Sequence, residues 1–151
     1  MKRFSWRLQR LLEVTRIRED ALRAELSALA GRIAPLRMEI VQRRSALRAM
    51  AADLARHPFD RRLERQETFM RHCVVDEAKI ERLERQASDL EQKRKATFEQ
   101  FKKVRSSRQA LEKLREAARV RHVKEQDLLE QKNLDEVAQR RATGAHKALT
   151  G

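Results

Sequence analysis

From Leu8 onward, positions spaced alternately four and three apart read Leu8, Leu12, Thr15, Glu19, Leu22, Leu26, Leu29, Ile33, Leu36, Ile40, Arg43, Leu47, Met50 and Leu54. Only Thr15, Glu19 and Arg43 are polar. A 3.5-residue repeat held over roughly six heptads is the pattern of a coiled-coil seam, because it returns apolar side chains to one stripe of a slightly underwound helix. The pattern excludes strands, whose side chains alternate with period 2, and it demands a partner helix for the stripe.

The partner follows in the same chain. Ala55-Arg56-His57-Pro58-Phe59-Asp60 interrupts the repeat. Pro58 has no N–H and pushes His57 out of the helical region, and Asp60 is placed to cap a following helix. A second series then runs Phe69, Cys73, Asp76, Ile80, Leu83, Ala87, Leu90, Arg94, Thr97, Phe101, Val104, Arg108 and Leu111. If the chain folds back about Pro58, facing residues have numbers summing to about 116, and both seams satisfy that register. It sets Leu47 against Phe69, Leu36 against Ile80, Ile33 against Leu83, Leu29 against Ala87 and Leu26 against Leu90, with Glu19 beside Arg94 and Thr97. The expected fold is all-α: a long two-helix antiparallel coiled-coil hairpin with a longer C-terminal helix. Its expected limits are a single domain over 1–151, with helices over about 4–56 and 61–141, a turn at 57–60 and a flexible tail over 142–151.

The arms are unequal. The part of the second helix past Leu111 lacks a partner in this register and would extend roughly 45 Å at ~1.5 Å per residue. There the seam also fades, since Arg115, His122 and Glu125 fall where apolar residues are due. Pro35 lies inside the first helix, with its ring directed at the carbonyl of Gly31. The seam keeps phase across it, so a kinked continuous helix is expected rather than a second turn.

Composition agrees with a rod. Charged residues make up 39% of the chain and aromatics 4%, and there are 3 Gly and 2 Pro, a mix suited to a long helix and not to a compact core. The formal net charge is +13, with the surplus in the first two thirds, which favours an acidic protein, nucleic acid or an anionic membrane as partner. Lone Cys73 closes no internal disulfide and reads as a small seam filler in a reducing cytoplasm. The start MKRFSWRLQRLLEV is broken by Arg7 and Arg10 and lacks the apolar run of a signal peptide, and no segment reaches the length of a membrane span.

No chemistry stands out. His57, His72, His122 and His146 are scattered, without the three- or four-residue spacing that presents paired metal ligands, and Gly31, Gly144 and Gly151 form no phosphate loop. The expectation is therefore a binding protein without catalytic residues, metal, cofactor or small-molecule substrate. Carboxylates such as Glu81 read as ion-pair partners of nearby cations, here Arg85. The densest basic cluster, Lys93, Arg94, Lys95, Lys102, Lys103, Arg105 and Arg108, reads as a solvated surface or as a docking surface for an acidic partner, beside Lys2, Arg3, Arg7 and Arg10. Nucleic acid is the weaker reading, because no groove-binding module or aromatic stacking platform accompanies the charge. Phe69 and Phe101 lie on the seam, Phe4 and Trp6 can cover its start, and Phe59 and Met70 near the turn are candidates for an exposed contact.

The two ends carry a resemblance. RFSWRLQRLLEV, through Phe4, Arg7, Leu8, Gln9, Leu11 and Leu12, and LLEQKNLDEVAQRRA, through Gln131, Lys132, Leu134, Asp135, Glu136, Val137 and Ala138, resemble the opening and closing patterns of the flagellar export protein FliJ family. Length, basic charge and the two-helix layout agree over nearly the whole chain. The resemblance implies a cytoplasmic coiled-coil component of the bacterial flagellar type III export apparatus, peripheral to the inner membrane, that resembles the central stalk of rotary ATPases. It implies as partners the hexameric export ATPase FliI, the export gate protein FlhA and export chaperones, with the membrane reached only through that apparatus. It also implies ATPase contacts at Gln131, Lys132, Leu134, Asp135, Glu136 and Ala138, and a gate contact at Phe69, with which Phe59 and Met70, the exposed-contact candidates near the turn, are grouped as candidate gate contacts. The equivalent stalk of a virulence-type injectisome, a basic nucleic-acid-binding coiled coil and a scaffold whose seam continues into another chain are the alternatives.

Overall fold

The computed structural model describes residues 4–149, and the side chains of these apart from residue 61 and residues 141–149. Two long helices account for nearly all of it: α1 over Gln9–Arg56 and α2 over Arg62–Leu149, joined through a 3-10 turn at Phe59–Arg61. There is no strand among the described residues. The protein is all-α, with the C-terminal helix the longer at 88 residues against 48. The first helix begins five residues later than expected, with Gln9 N–H donating to the Trp6 carbonyl at 3.1 Å. The backbone of α2 stays helical to Leu149, past the expected end at 141; residues 150–151 of the expected tail lie outside the described residues. Pro35 sits inside an uninterrupted α1, as the unbroken phase of the seam requires.

The chain divides into two compact units, Glu19–Lys103 and Met1–Arg18 with Val104–Gly151. In the Glu19–Lys103 unit, Asp53 approaches Arg65, Arg43 bonds Asp76, Arg37 bonds Glu91 and Glu25 meets Thr97, so numbers fall along one helix as they rise along the other. The helices are antiparallel. Its core consists of Leu29, Ile33, Ile40, Ile80, Ala87 and Leu90, all seam positions. Two seam positions are buried and polar: Glu19, paired with Arg23 at 3.3 Å, and Thr97, whose Oγ1 donates to Glu25 Oε1 at 3.4 Å. Arg94, which the expected register set against Glu19, is exposed.

The register differs from expectation. Leu90 clusters with Leu29 and Ile33, against which Leu36 packs, instead of facing Leu26. Around that cluster α2 is displaced along α1 by up to about one heptad. A shift of seven returns every seam residue to the seam, so the same side chains are buried in either register.

The turn is closed by a residue that the repeat does not single out. Asp60 makes no side-chain cap, and the 3-10 turn follows Pro58 directly. Arg62 instead reaches back, its Nε donating to the His57 carbonyl and its Nη2 to the Ala55 carbonyl at 2.9 Å. A helix end leaves carbonyls without partners, and a guanidinium satisfies two of them while meeting the negative end of the dipole.

In the other unit, Arg16 bonds Glu112 at 2.8 Å and the Phe4 ring lies 5.5 Å from the His122 ring, again an antiparallel order. Leu12 is fully buried. The remaining seam positions of α2 here are half-buried: Val104, Arg108, Leu111, Arg115, Ala118, His122 and Gln126. The seam therefore continues to Gln126 and does not fade at Leu111. Long polar side chains can occupy such a stripe by laying their apolar parts along it, and Phe4 and Trp6 are half-buried. Arg7 and Arg10, lying between Phe4 and Arg16, face the stretch between Glu112 and His122 rather than the cluster at 93–108. Lys2 and Arg3 lie outside the described residues.

Candidate docking surfaces

Beyond Gln126 every residue of α2 is exposed through Arg140. The stretch holds the whole closing motif. Gln131, Leu134, Asp135 and Ala138 stand at i, i+3, i+4 and i+7 and so share one helical face. Lys132 and Glu136 lie together on its flank, with Glu136 3.7 Å from Arg140. Val123, Leu134 and Val137, all exposed, extend an apolar stripe along the edge of that face; Val123 lies outside the motif and its signal was the i, i+11 spacing to Leu134. A helical face of apolar and charged groups without an intramolecular partner is built for binding another surface, since burying it would release water from the stripe.

At the turn, the structure separates the three gate-contact candidates. Phe59 and Met70 are exposed, at 78% and 56%, whereas Phe69 is half-buried on the seam and lines a concavity with Ala49, Met50, Asp53, Leu54, Glu64, Arg65 and Thr68. Leu63 and Val74, exposed apolar side chains that the seam does not include, stand at i−7 and i+4 from Met70. Leu63, Met70 and Val74 thus form one stripe on the outer side of α2. His57 braces this end: Nδ1 lies 2.9 Å from the Asp53 carbonyl and Nε2 2.6 Å from Arg65 Nη1, an arrangement in which Nδ1–H donates and Nε2 accepts.

The basic cluster is only partly available. Arg108 donates to Glu112 at 2.6 Å and Lys102 pairs with Glu99 at 2.7 Å. Lys103 also has a partner, while Lys93, Arg94, Lys95 and Arg105 are exposed. Glu81 and Arg85 form the expected pair. The Arg16 hydrogen bond holds the Glu112 carboxyl below the usual carboxylate range, against the opposing effect of burial and with help from Arg108. Arg43, on the seam, is raised by its hydrogen bond to Glu39, again against burial, and by Asp76. Cys73 is a free thiol, half-buried at its seam position.

Among the described residues no three His, Cys, Asp or Glu side chains come together as a metal-binding group, and no helix is long and apolar enough to cross a membrane. No known family model, curated protein or solved structure matches the chain.

Proposed function

We propose that this chain is a stalk protein of the bacterial flagellar type III export apparatus, of the FliJ kind, acting by binding and not by catalysis. It works in the cytoplasm at the inner membrane, engages the hexameric export ATPase FliI through the end of α2, and couples it to the gate protein FlhA and to export chaperones. The observation that carries the reading is the exposed stretch 127–140, on which the motif residues Gln131, Leu134, Asp135 and Ala138 fall on one face. A stalk needs a helix end whose face is not spent on the hairpin's own seam, and this one is not. The stripe Leu63, Met70 and Val74, with Phe59 nearby, is the surface offered to the gate. Phe69, half-buried on the seam, supports that surface from within.

The experiment is a pull-down with measurement of ATPase stimulation, using the intact chain and a version cut after Gln126, which keeps Phe4 against His122. The cut chain should fold, bind the ATPase at least about 10-fold more weakly, and fail to stimulate it. Undiminished stimulation by the cut chain would overturn the assignment of α2, and absence of any effect by the intact chain would overturn the stalk reading. For the gate, a Met70→Ala and Phe59→Ala double variant should lose FlhA affinity while keeping ATPase stimulation.

A further inference from the structure

In the Glu19–Lys103 unit a groove of about 320 Å³ is lined by Arg37, Glu91, Arg94, Lys95 and Phe98. Phe98 is off the seam and 47% exposed, yet it is firmly placed. Its ring stacks on Phe101, with centroids 6.3 Å apart and planes 24° from parallel, and the Lys102 ammonium lies 5.4 Å from its centroid. Phe101 is held in turn by the Arg23 guanidinium at 5.9 Å. Around the ring, Arg37 is paired with Glu91 and Lys102 with Glu99. Arg94 and Lys95 are exposed and form no ion pair among the described residues. A fixed aromatic ring thus stands beside two uncompensated cations on one flank of α2.

We propose that this groove docks an acidic amphipathic helical segment of a partner protein, whose apolar side chains seat on Phe98 while its carboxylates meet Arg94 and Lys95. The arrangement has the two parts such recognition needs. A preorganised aromatic anchor supplies affinity with little ordering cost, and flanking cations steer the acidic partner and fix its register. Charge complementarity selects an acidic partner, and the interleaved carboxylates select a protein. Glu91 and Glu99 lie within the patch and would repel a uniform phosphate backbone, whereas a peptide with spaced charges avoids them. A concave groove also suits protruding side chains better than the plane of a bilayer. None of these residues belongs to the ATPase or gate surfaces, so the proposal stands apart from the stalk reading.

The test is fluorescence anisotropy with the full chain and a labelled helical peptide carrying Leu and Phe on one face and Glu on the other. Its controls are the same residues scrambled, an RNA duplex, and phosphatidylserine–phosphatidylcholine vesicles. Phe98→Ala, and separately the pair Arg94→Glu with Lys95→Glu, should each weaken peptide binding at least about 10-fold with unchanged helical circular dichroism. The pair Arg48→Glu with Arg82→Glu makes the same charge change at exposed positions outside the groove and should weaken it less than about 3-fold. Failure of the peptide to bind, equal binding of the scrambled peptide, indifference to Phe98→Ala, equal damage by the control pair, or tighter binding to RNA or vesicles would each overturn the proposal.

Discussion

The two units are built from the same two helices and hold them by different means. The Glu19–Lys103 unit buries an apolar row, Leu29, Ile33, Ile40, Ile80, Ala87 and Leu90, and adds ion pairs both on the seam, Arg43 with Asp76, and beside it, Arg37 with Glu91. The other unit buries Leu12 and then lines its seam with half-buried side chains, Val104, Leu111 and Ala118 interleaved with the polar Arg108, Arg115, His122 and Gln126, and adds the Arg16–Glu112–Arg108 cluster and Phe4 against His122. Apolar burial is non-directional and insensitive to salt, while a partly exposed ion pair is worth about 1 kcal/mol or less and is screened. On that ground the first unit is expected to be the more stable, and the second, which carries the exposed end of α2, the first to open.

The most direct way to break that contrast is to remove its apolar basis. Ile33→Ala, in the Leu29–Ile33–Leu90 cluster, should cost about 2–4 kcal/mol in urea unfolding, since truncating a buried aliphatic chain loses transfer energy and leaves a cavity. A loss below about 1 kcal/mol would show that this cluster does not dominate stability. Next in size is the turn of the same unit. Arg62→Ala removes hydrogen bonds to the Ala55 and His57 carbonyls, at and just past the end of α1, and should cost about 1–2 kcal/mol, with faster amide exchange in the last turn of α1 as the local readout.

The seam and the turn were legible in the sequence because burial follows a 3.5-residue period whatever the partner. The register was not, since sliding α2 by a heptad leaves Leu90 on the seam whether it faces Leu26 or Ile33. The continuation to Gln126 was hidden for another reason: Arg115 and His122 count as polar in a pattern, yet both are half-buried at seam positions, as amphipathic side chains can be. Among the candidate surfaces, the closing motif was reached through its resemblance to a family pattern, whereas Leu63, Val74 and Phe98 lie off the seam. Their exposure depends on which face the partner helix covers, and a repeat read along one chain does not supply that.

A smaller change sharpens the contrast by strengthening the stable unit. Gly31 lies within α1 with open space where a Cβ would project, and its φ is not positive. Gly31→Ala should therefore add about 1 kcal/mol through helix propensity alone, with a matching rise in urea midpoint. If it destabilises, the chain around Pro35 relies on glycine's freedom one turn earlier.

The smallest expected effect tests the other unit through pH. Glu112 has its folded pKa lowered, principally by Arg16, so the folded state binds a proton less readily than the unfolded chain does. Its stabilising contribution is then present above the unfolded carboxylate pKa and is lost as the pH falls through the lower folded value. Glu112→Gln removes the charge at every pH while keeping the shape, so wild type and variant should differ at neutral pH and converge in acid. Amide exchange at residues 108–116 reads this locally, and added salt at neutral pH should narrow the same gap, because both partners are partly exposed. Ile33→Ala should show neither dependence. If the Glu112→Gln difference persists unchanged in acid, the ion pairs are not what holds this unit, and the half-buried stems of Arg115, His122 and Gln126 carry it instead.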